Sequence, residues 1–480
     1  MIDLTLAEVA AIVGGTVLDA DPAAVVSGTV EFDSRKVTQG GLFLAFPGEH
    51  VDGHDYVAAA IEAGAVAAIV SRGVPAPRIE VADVLPAIAA LAAAVVRRLP
   101  DLTVIGITGS SGKTSTKDLL AQLLARRGPT VAPPGSFNNE LGHPYTVLRA
   151  DIDTRYLVLE TSARGIGHIR YLTQIAPPRI GAVLNVGSAH LGEFGSRDAI
   201  AQAKGELVEA LPADGVAILN VDDPLVAAMA ARTAATVVFV GEAGTADVRA
   251  TDVVLDDMGR ASFTVSSHGE SAQVRLRLVG MHHVANALAA AAVALECGMT
   301  LAETATALSE ASATSRWRME VTERGDGVVV INDAYNANPE SMRAALKALV
   351  SVARPRNGRS FAVLGHMAEL GEDAASEHDA LGRLAVRLDV SRVVAVGEQA
   401  RPIQHGAALE GSWDGEASWV PDVDAAIALL RRELVPGDVV LIKASRAASL
   451  ERVALAIAED ESATGPAAGR AGVGEEGSSA

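Results

Sequence analysis

Residues 103–116 read Thr-Val-Ile-Gly-Ile-Thr-Gly-Ser-Ser-Gly-Lys-Thr-Ser-Thr: an apolar β-branched run, a Gly/Ser turn, then a lysine and hydroxyls opening a helical segment that continues to Arg127. A strand that feeds a glycine turn and then a helix start gathers inward-facing backbone N–H groups and the positive end of a helix dipole at one point. This is a phosphate cradle, and it commits the surrounding chain to strand–turn–helix units. Gly109, Ser110, Ser111 and Gly112 make the turn, Lys113 is placed to reach the β- and γ-phosphates, the Thr114 hydroxyl suits Mg²⁺, and Ser115 follows in the first helical turn. The longer Walker spacing would put a glycine where Ile107 stands, so this is the shorter Gly-x-x-Gly-Lys-Thr form. The bland reading is a Gly/Ser turn that happens to precede a lysine. Strand, turn, Lys-Thr and helix in the required order argue against it.

A chain of 480 residues exceeds what one core supports, so several domains are expected. Aromatics are only 3% of residues, which leaves Ala, Val, Leu and Ile to build the cores. The net charge of −19 argues against general affinity for nucleic acid or an anionic membrane, so any anionic ligand must be held by local groups. One cysteine, Cys297, excludes an internal disulfide and suits a reducing cytosol. Met1 to Gly15 lacks the basic start and long apolar run of a signal peptide. The Ala-rich segment Val81 to Val96 contains Asp83 and Pro86 and falls short of the ~20 residues a span needs, so a packed helix is expected there and no membrane span.

Three α/β domains are expected: a small one over 1–99, a central parallel-sheet domain over 100–314 and a C-terminal nucleotide-fold-like domain over 315–461, followed by a disordered Gly/Ala/Ser/Glu tail over 462–480. In the first, Thr5 and Glu8 have capping-box spacing, Gly14-Gly15 stops the helix, and Asp33-Ser34-Arg35 and Asp52-Gly53-His54 fall in loops at element ends. Alone, both triplets read as polar turns. In the second, strands are expected at 103–107, 156–160, 180–186 and 216–221, helices near 113–127, 196–210 and 223–232, β-hairpin material over 248–278 and an Ala-rich helix over 280–295. Glu160 ends a strand where a capping carboxylate or a Mg²⁺-binding acid could sit. The cluster 135–144 reads as a loop, and Lys204, on an amphipathic helix, reads by periodicity as a solvated face residue. In the third, the strand Val328 to Asn332 leads into Asp333-Ala334-Tyr335-Asn336-Ala337-Asn338, with a helix opening at Pro339. Ser360 to Leu364 leads toward Glu369-Leu370-Gly371, and Val439 to Ile442 ends at Lys443-Ala444-Ser445-Arg446.

Taken in order, these motifs resemble the Mur ligase family over residues 1 to about 459. The resemblance is greatest to the branch that joins D-alanyl-D-alanine to UDP-N-acetylmuramoyl-tripeptide in peptidoglycan synthesis. It implies a cytoplasmic, monomeric, ATP-dependent and ADP-forming ligase with ATP and two Mg²⁺ ions. By that likeness Lys113 lies on the phosphates, while Thr114, Glu160 and His190 of Ser188-Ala189-His190-Leu191 are metal ligands. Lys204 matches a lysine that relatives carry as a carbamate. Asn138, Asn139 and Glu140 lie near the phosphate and acceptor site, and Asn286 flanks the adenine with His282. The family usually has Asn where His283 stands. Arg318 and Asp333 match residues that fold over ATP. Tyr335, Asn336, Asn338, Glu369, Leu370, Lys443, Ser445 and Arg446 match the dipeptide side, and Ser34, Arg35, Asp52, Gly53 and His54 match the cradle for the UDP-sugar.

Other classes are a sister amino-acid ligase adding the third stem residue, a P-loop small-molecule kinase and a nucleotide-gated module without chemistry. The sister's Asp-Asn-Pro-Arg signature is absent from the chain. A folylpolyglutamate synthase-like enzyme would not need the first domain. A kinase would leave phosphate on its product, and a module without chemistry would need neither Glu160 nor His190.

Overall fold

The computed structural model describes residues 1–48, 51–187, 191–411 and 416–459. The expectations for His190 and for the tail 462–480 therefore lie outside the described residues. The chain forms two compact units. One comprises Met1–Arg318 with Asn338–Ala344 and Ala368–Glu377; the other comprises Met319–Ala337, Ala345–Met367 and the chain from His378.

The first unit opens with the helix Leu6–Val13, held by the reciprocal Thr5–Glu8 capping box and closed by Gly14 at φ 67°. A five-stranded sheet follows in the order Thr16–Leu18, Arg78–Glu80, Ala65–Val70, Gly41–Leu44, Val30–Glu31, antiparallel only at the first pair. The Ala-rich helix runs Val84–Arg97, a few residues later than its apolar run suggests, because Asp83 caps it through the Leu85 N–H. Among the described residues no helix is long and apolar enough to cross a membrane.

A nine-stranded sheet forms the rest of this unit. Thr103–Thr108 lies between Tyr156–Glu160 and Ile180–Val183, and the parallel run continues outward through Val216–Asn220, Thr236–Gly241 and Val248–Leu255. These strands read as continuous apolar runs because both faces are covered. Ile105, Leu119, Leu123, Ala287 and Ala291 pack on one side, and Val183, Ala203, Leu207 and Leu219 on the other. Gly106 is required here, since a Cβ would meet Leu207 at 2.8 Å. Register sets Ile107 opposite Glu160 and Thr108 opposite Val183, so three strand ends open at one place.

Several local expectations are corrected. The hairpin expected over 248–278 is a three-stranded antiparallel meander, with Arg260–Ser267 and Glu270–Val279 completing it. The helix expected over 223–232 is Pro224–Ala227 followed by a tighter turn, Ala228–Arg232. The strand beginning at Ile180 ends at Val183, and the loop expected over 135–144 becomes helical at Gly142.

The second unit carries a six-stranded sheet in the order Glu320–Glu323, Val329–Asn332, Val439–Lys443, Ser360–Leu364, Arg392–Val396, Ala417–Val420, parallel except for the first pair. Val330, Phe361, Val440, Leu430 and Val453 build a core on one side of it.

Candidate functional site

The phosphate loop is braced from a neighbouring strand end. Asn185 accepts from the Ser111 N–H at 3.0 Å and donates back to the Ser111 carbonyl at 3.2 Å, while its own carbonyl takes the Ser110 N–H at 3.1 Å. The Ser110 hydroxyl accepts from the Gly187 N–H at 2.8 Å. Gly112 enters the helix Lys113–Leu124 at φ 83°, and Asn286 lies so close over it that no side chain would fit. No side chain caps that helix, so its first N–H groups face the loop. Lys113 folds back to donate to the Gly109 carbonyl at 2.6 Å, and burial lowers its ammonium pKa to about 8 against the pull of Glu160.

Beside the loop sits Glu160, fully buried at the end of Tyr156–Glu160. Its Oε2 accepts from the Thr114 hydroxyl at 3.3 Å and from the Asn138 amide at 3.4 Å, whereas Oε1 has no partner among the described residues. Burial raises the Glu160 pKa despite the opposing charges of Lys117, Lys113 and Arg318. A desolvated carboxylate with a free oxygen next to a threonine hydroxyl is a donor set of hard oxygens, the kind that Mg²⁺ takes. Arg318 donates to the Thr114 and Ser136 hydroxyls at 3.4 and 3.1 Å, and Asn338 donates to the Ser110 carbonyl at 3.2 Å.

Lys204 corrects the expectation of a solvated face. It is 3% exposed on the helix Arg197–Glu209, with no hydrogen-bond partner for its Nζ among the described residues. Burial, and then the Lys113 charge, lower its pKa well below the ordinary lysine value. Periodicity missed this because the helix is buried all round from Ala203 to Val208; on another face Glu206 accepts the Gly167 and Arg170 N–H groups at 2.6 and 3.0 Å. His283 is buried likewise, 3.4 Å from Asn286, and burial lowers its pKa strongly.

Other candidates of this unit lie apart from the loop in their bonding. Asn139 caps the Gly142 N–H, and Glu140 lies 3.6 Å from His168. Glu369, at φ 64°, lies 3.9 Å from Arg164, and Leu370 is buried. Arg35 pairs with Asp33 at 2.8 Å beside Ser34, and Gly53 is packed against the Phe46 backbone. Asp52 accepts from the His54 N–H at 2.9 Å, from His54 Nδ1 at 2.6 Å and from Arg72 at 3.0 Å, and these bonds hold its carboxyl well below the usual carboxylate range; His54 Nε2 accepts the Ser71 N–H.

The second unit holds the remainder. Lys443 donates to Asp333 at 2.6 Å and to the Asn336 carbonyl at 2.8 Å, Ser445 donates its N–H to the His366 carbonyl, and Arg446 pairs with Glu451. Tyr335 follows Asp333 in the turn after Val329–Asn332. Sequence reasoning missed the bracing role of Asn185, although its place at a strand end pointed to it, and missed Ser136 and Lys117. Lys117 stands one helical turn after Lys113 but is buried, donating to the Pro133 carbonyl.

Models of three protein families match successive parts of the chain: the "Mur ligase family, catalytic domain" over 28–105, the "Mur ligase middle domain" over 107–294 and the "Mur ligase, glutamate ligase domain" over 317–446. The UDP-N-acetylmuramoyl-tripeptide–D-alanyl-D-alanine ligase of Mycobacterium bovis is 56% identical over 96% of this chain and 99% of its own. A crystal structure of MurF from Acinetobacter baumannii is similar with a TM-score of 0.84 and 33% identity, covering 95% of this chain and 99% of that one. The MurF ligase of Thermotoga maritima, crystallised with ADP, is similar at a TM-score of 0.77 and 30% identity, covering 90% and 98%. Motif order, fold and these likenesses agree: the chain belongs to the Mur ligase family.

Proposed function

We propose that this chain is an ATP-dependent ligase that joins D-alanyl-D-alanine to UDP-N-acetylmuramoyl-tripeptide, completing the pentapeptide precursor of peptidoglycan in the cytoplasm. The observation that carries the reading is the buried, half-satisfied Glu160 carboxylate beside Thr114 at the mouth of the phosphate loop.

A carboxylate does not condense with an amine in water. The tripeptide carboxylate therefore attacks the γ-phosphorus of ATP, forming an acyl phosphate and releasing ADP. Lys113 leaves the Gly109 carbonyl for the transferring phosphoryl group, the first-turn N–H groups from Gly112 to Ser115 hold the β-phosphate, and Arg318 adds charge above Thr114. The free amino group of the dipeptide then attacks the acyl carbon. It gives up a proton, and as the carbonyl re-forms inorganic phosphate departs with the electron pair of the bond that joined its oxygen to the acyl carbon. Asn286 with His282 is assigned to the adenine, and Asp333 to the nucleotide.

One Mg²⁺ ion fits the donors present and would be held by Thr114 and Glu160; a second is assigned to His190 and a carbamate on Lys204. When bound they neutralise phosphate charge. Carbamate formation needs an unprotonated amine to add to CO₂ with loss of a proton, and the burial of Lys204 favours that neutral form. Ser34, Arg35, Asp52, Gly53 and His54 are assigned to the UDP-sugar, and Asn138, Asn139 and Glu140 to the phosphate and acceptor region. Tyr335, Asn336, Asn338, Glu369, Leu370, Lys443, Ser445 and Arg446 are assigned to the dipeptide. On this reading the domain divisions fall at 99/100 and 314/315.

The test is product analysis with ATP, Mg²⁺ and UDP-N-acetylmuramoyl-tripeptide, with and without D-alanyl-D-alanine. ADP, phosphate and amide product should appear in equal amounts only with both acceptor and dipeptide. A phosphorylated tripeptide as the final product would replace the ligase reading with a kinase.

A further inference from the structure

The helix that opens at the phosphate loop carries polar residues at intervals of four: Thr114, Asp118, Gln122 and, just past its end, Arg126. That spacing puts them on one face. Each meets a residue of the segment 310–318, which runs the opposite way. Arg126 pairs with Glu310; Gln122 donates to the Ser312 carbonyl at 2.9 Å and accepts its N–H at 3.1 Å. Asp118 accepts the Ser315 N–H at 2.9 Å and hydroxyl at 3.1 Å, and Thr114 accepts from Arg318 at 3.4 Å. Lys117 ties the same ladder to the loop that carries Ser136, donating to the Pro133 carbonyl at 2.9 Å and to Ser315 at 3.3 Å.

Two further features show that the end of this segment is tightly specified. Asp118 and Lys117 are 6% and 3% exposed, so their hydrogen bonds replace water rather than compete with it. Trp317 at φ 59° and Met319 at φ 51°, on either side of Arg318, are both in the left-handed region, a strained backbone state that persists only where surroundings over-determine it.

We propose that Asp118 and Gln122 are positioning residues for Arg318: their bonds to Ser315 and Ser312 register the 310–318 segment on the phosphate-loop helix, so that the guanidinium arrives over Thr114. A slip of one residue would move the arginine by the spacing of neighbouring Cα atoms, about 3.8 Å, beyond hydrogen-bond reach. The inference rests on the assignment of Arg318 to the nucleotide made above.

The test is a double-mutant cycle in the full-length enzyme, read as kcat/KM for ATP with both other substrates saturating. Arg318→Ala should cost about 100-fold and Asp118→Asn about 10-fold, while the double variant should lose no more than about 2-fold beyond Arg318→Ala. A purely structural role for Asp118 would lower activity equally in both backgrounds, and losses that multiply would overturn the proposal. No loss in Arg318→Ala alone would instead refute the assignment of Arg318. Should circular dichroism show that Asp118→Asn does not fold, the half-exposed Gln122 decides. A loss of about 3-fold in Gln122→Ala that vanishes in the Arg318→Ala background supports the ladder, and no loss, or the same loss in both backgrounds, overturns it.

Discussion

Each compact unit sets a lysine near a buried carboxylate where strands end, and the two arrangements differ in what they leave over. In the second unit Lys443 is closed on Asp333 and the Asn336 carbonyl, and the other Asp333 oxygen accepts the Met319 N–H at 3.2 Å. In the first, Lys113 is spent on a backbone carbonyl and Glu160 keeps one oxygen without a partner. A closed buried pair satisfies its own desolvation and holds backbone in place. An open one bears a cost that only a cation or an anionic ligand can relieve. The difference separates a pair already satisfied by its own partners from groups that a bound ligand would complete.

The largest effect that could break this comparison is at the open pair. Lys113→Ala should lower turnover by about 10³- to 10⁵-fold while the melting midpoint stays within a few degrees of the parent; near-normal turnover would remove the phosphate role. Next comes the closed pair. Asp333→Ala leaves the buried Lys443 uncompensated and should cost about 3–5 kcal/mol in chemical denaturation of the second unit.

Glu160→Gln sharpens the contrast by reversing the sign. Turnover should fall about 100-fold, yet without nucleotide or magnesium the variant should melt higher than the parent. The sign follows from the raised pKa: the unfolded carboxyl gives up its proton at a lower pH than the folded one, so burial of the charge destabilises the parent as pH rises above the ordinary carboxylate value. The stability gain of Glu160→Gln should therefore be absent in acid and grow through that window; a gain independent of pH would contradict it. The smallest effect is expected at the exposed Asp33–Arg35 pair, whose members are only two residues apart. Arg35→Ala should leave the melting midpoint unchanged and raise KM for the UDP-linked substrate about 10-fold.

What could be read in the sequence followed locality. The Thr5–Glu8 and phosphate-loop signals are complete within a few residues, and the strands at 103, 156 and 360 announce themselves as apolar runs between turn residues. What could not be read depends on distant chain. Lys204 looks solvated, yet its helix is buried all round from Ala203 to Val208 by other parts of the chain. Asn338 reaches Ser110, and Arg318 reaches Ser136, across sequence separations that no local pattern encodes. The three-stranded meander over 248–279 shows alternation plainly, but the extra turn at Ser267–Glu270 is too short to stand out from one long strand.

The central claim is that the open arrangement at Glu160 and Lys113 serves transfer of phosphate onto a carboxylate. Following ¹⁸O from the labelled terminal carboxylate of the tripeptide tests it most directly. The account requires one labelled oxygen in each inorganic phosphate released as amide forms; amide formed with label-free phosphate, the displaced ¹⁸O appearing in water, would contradict it.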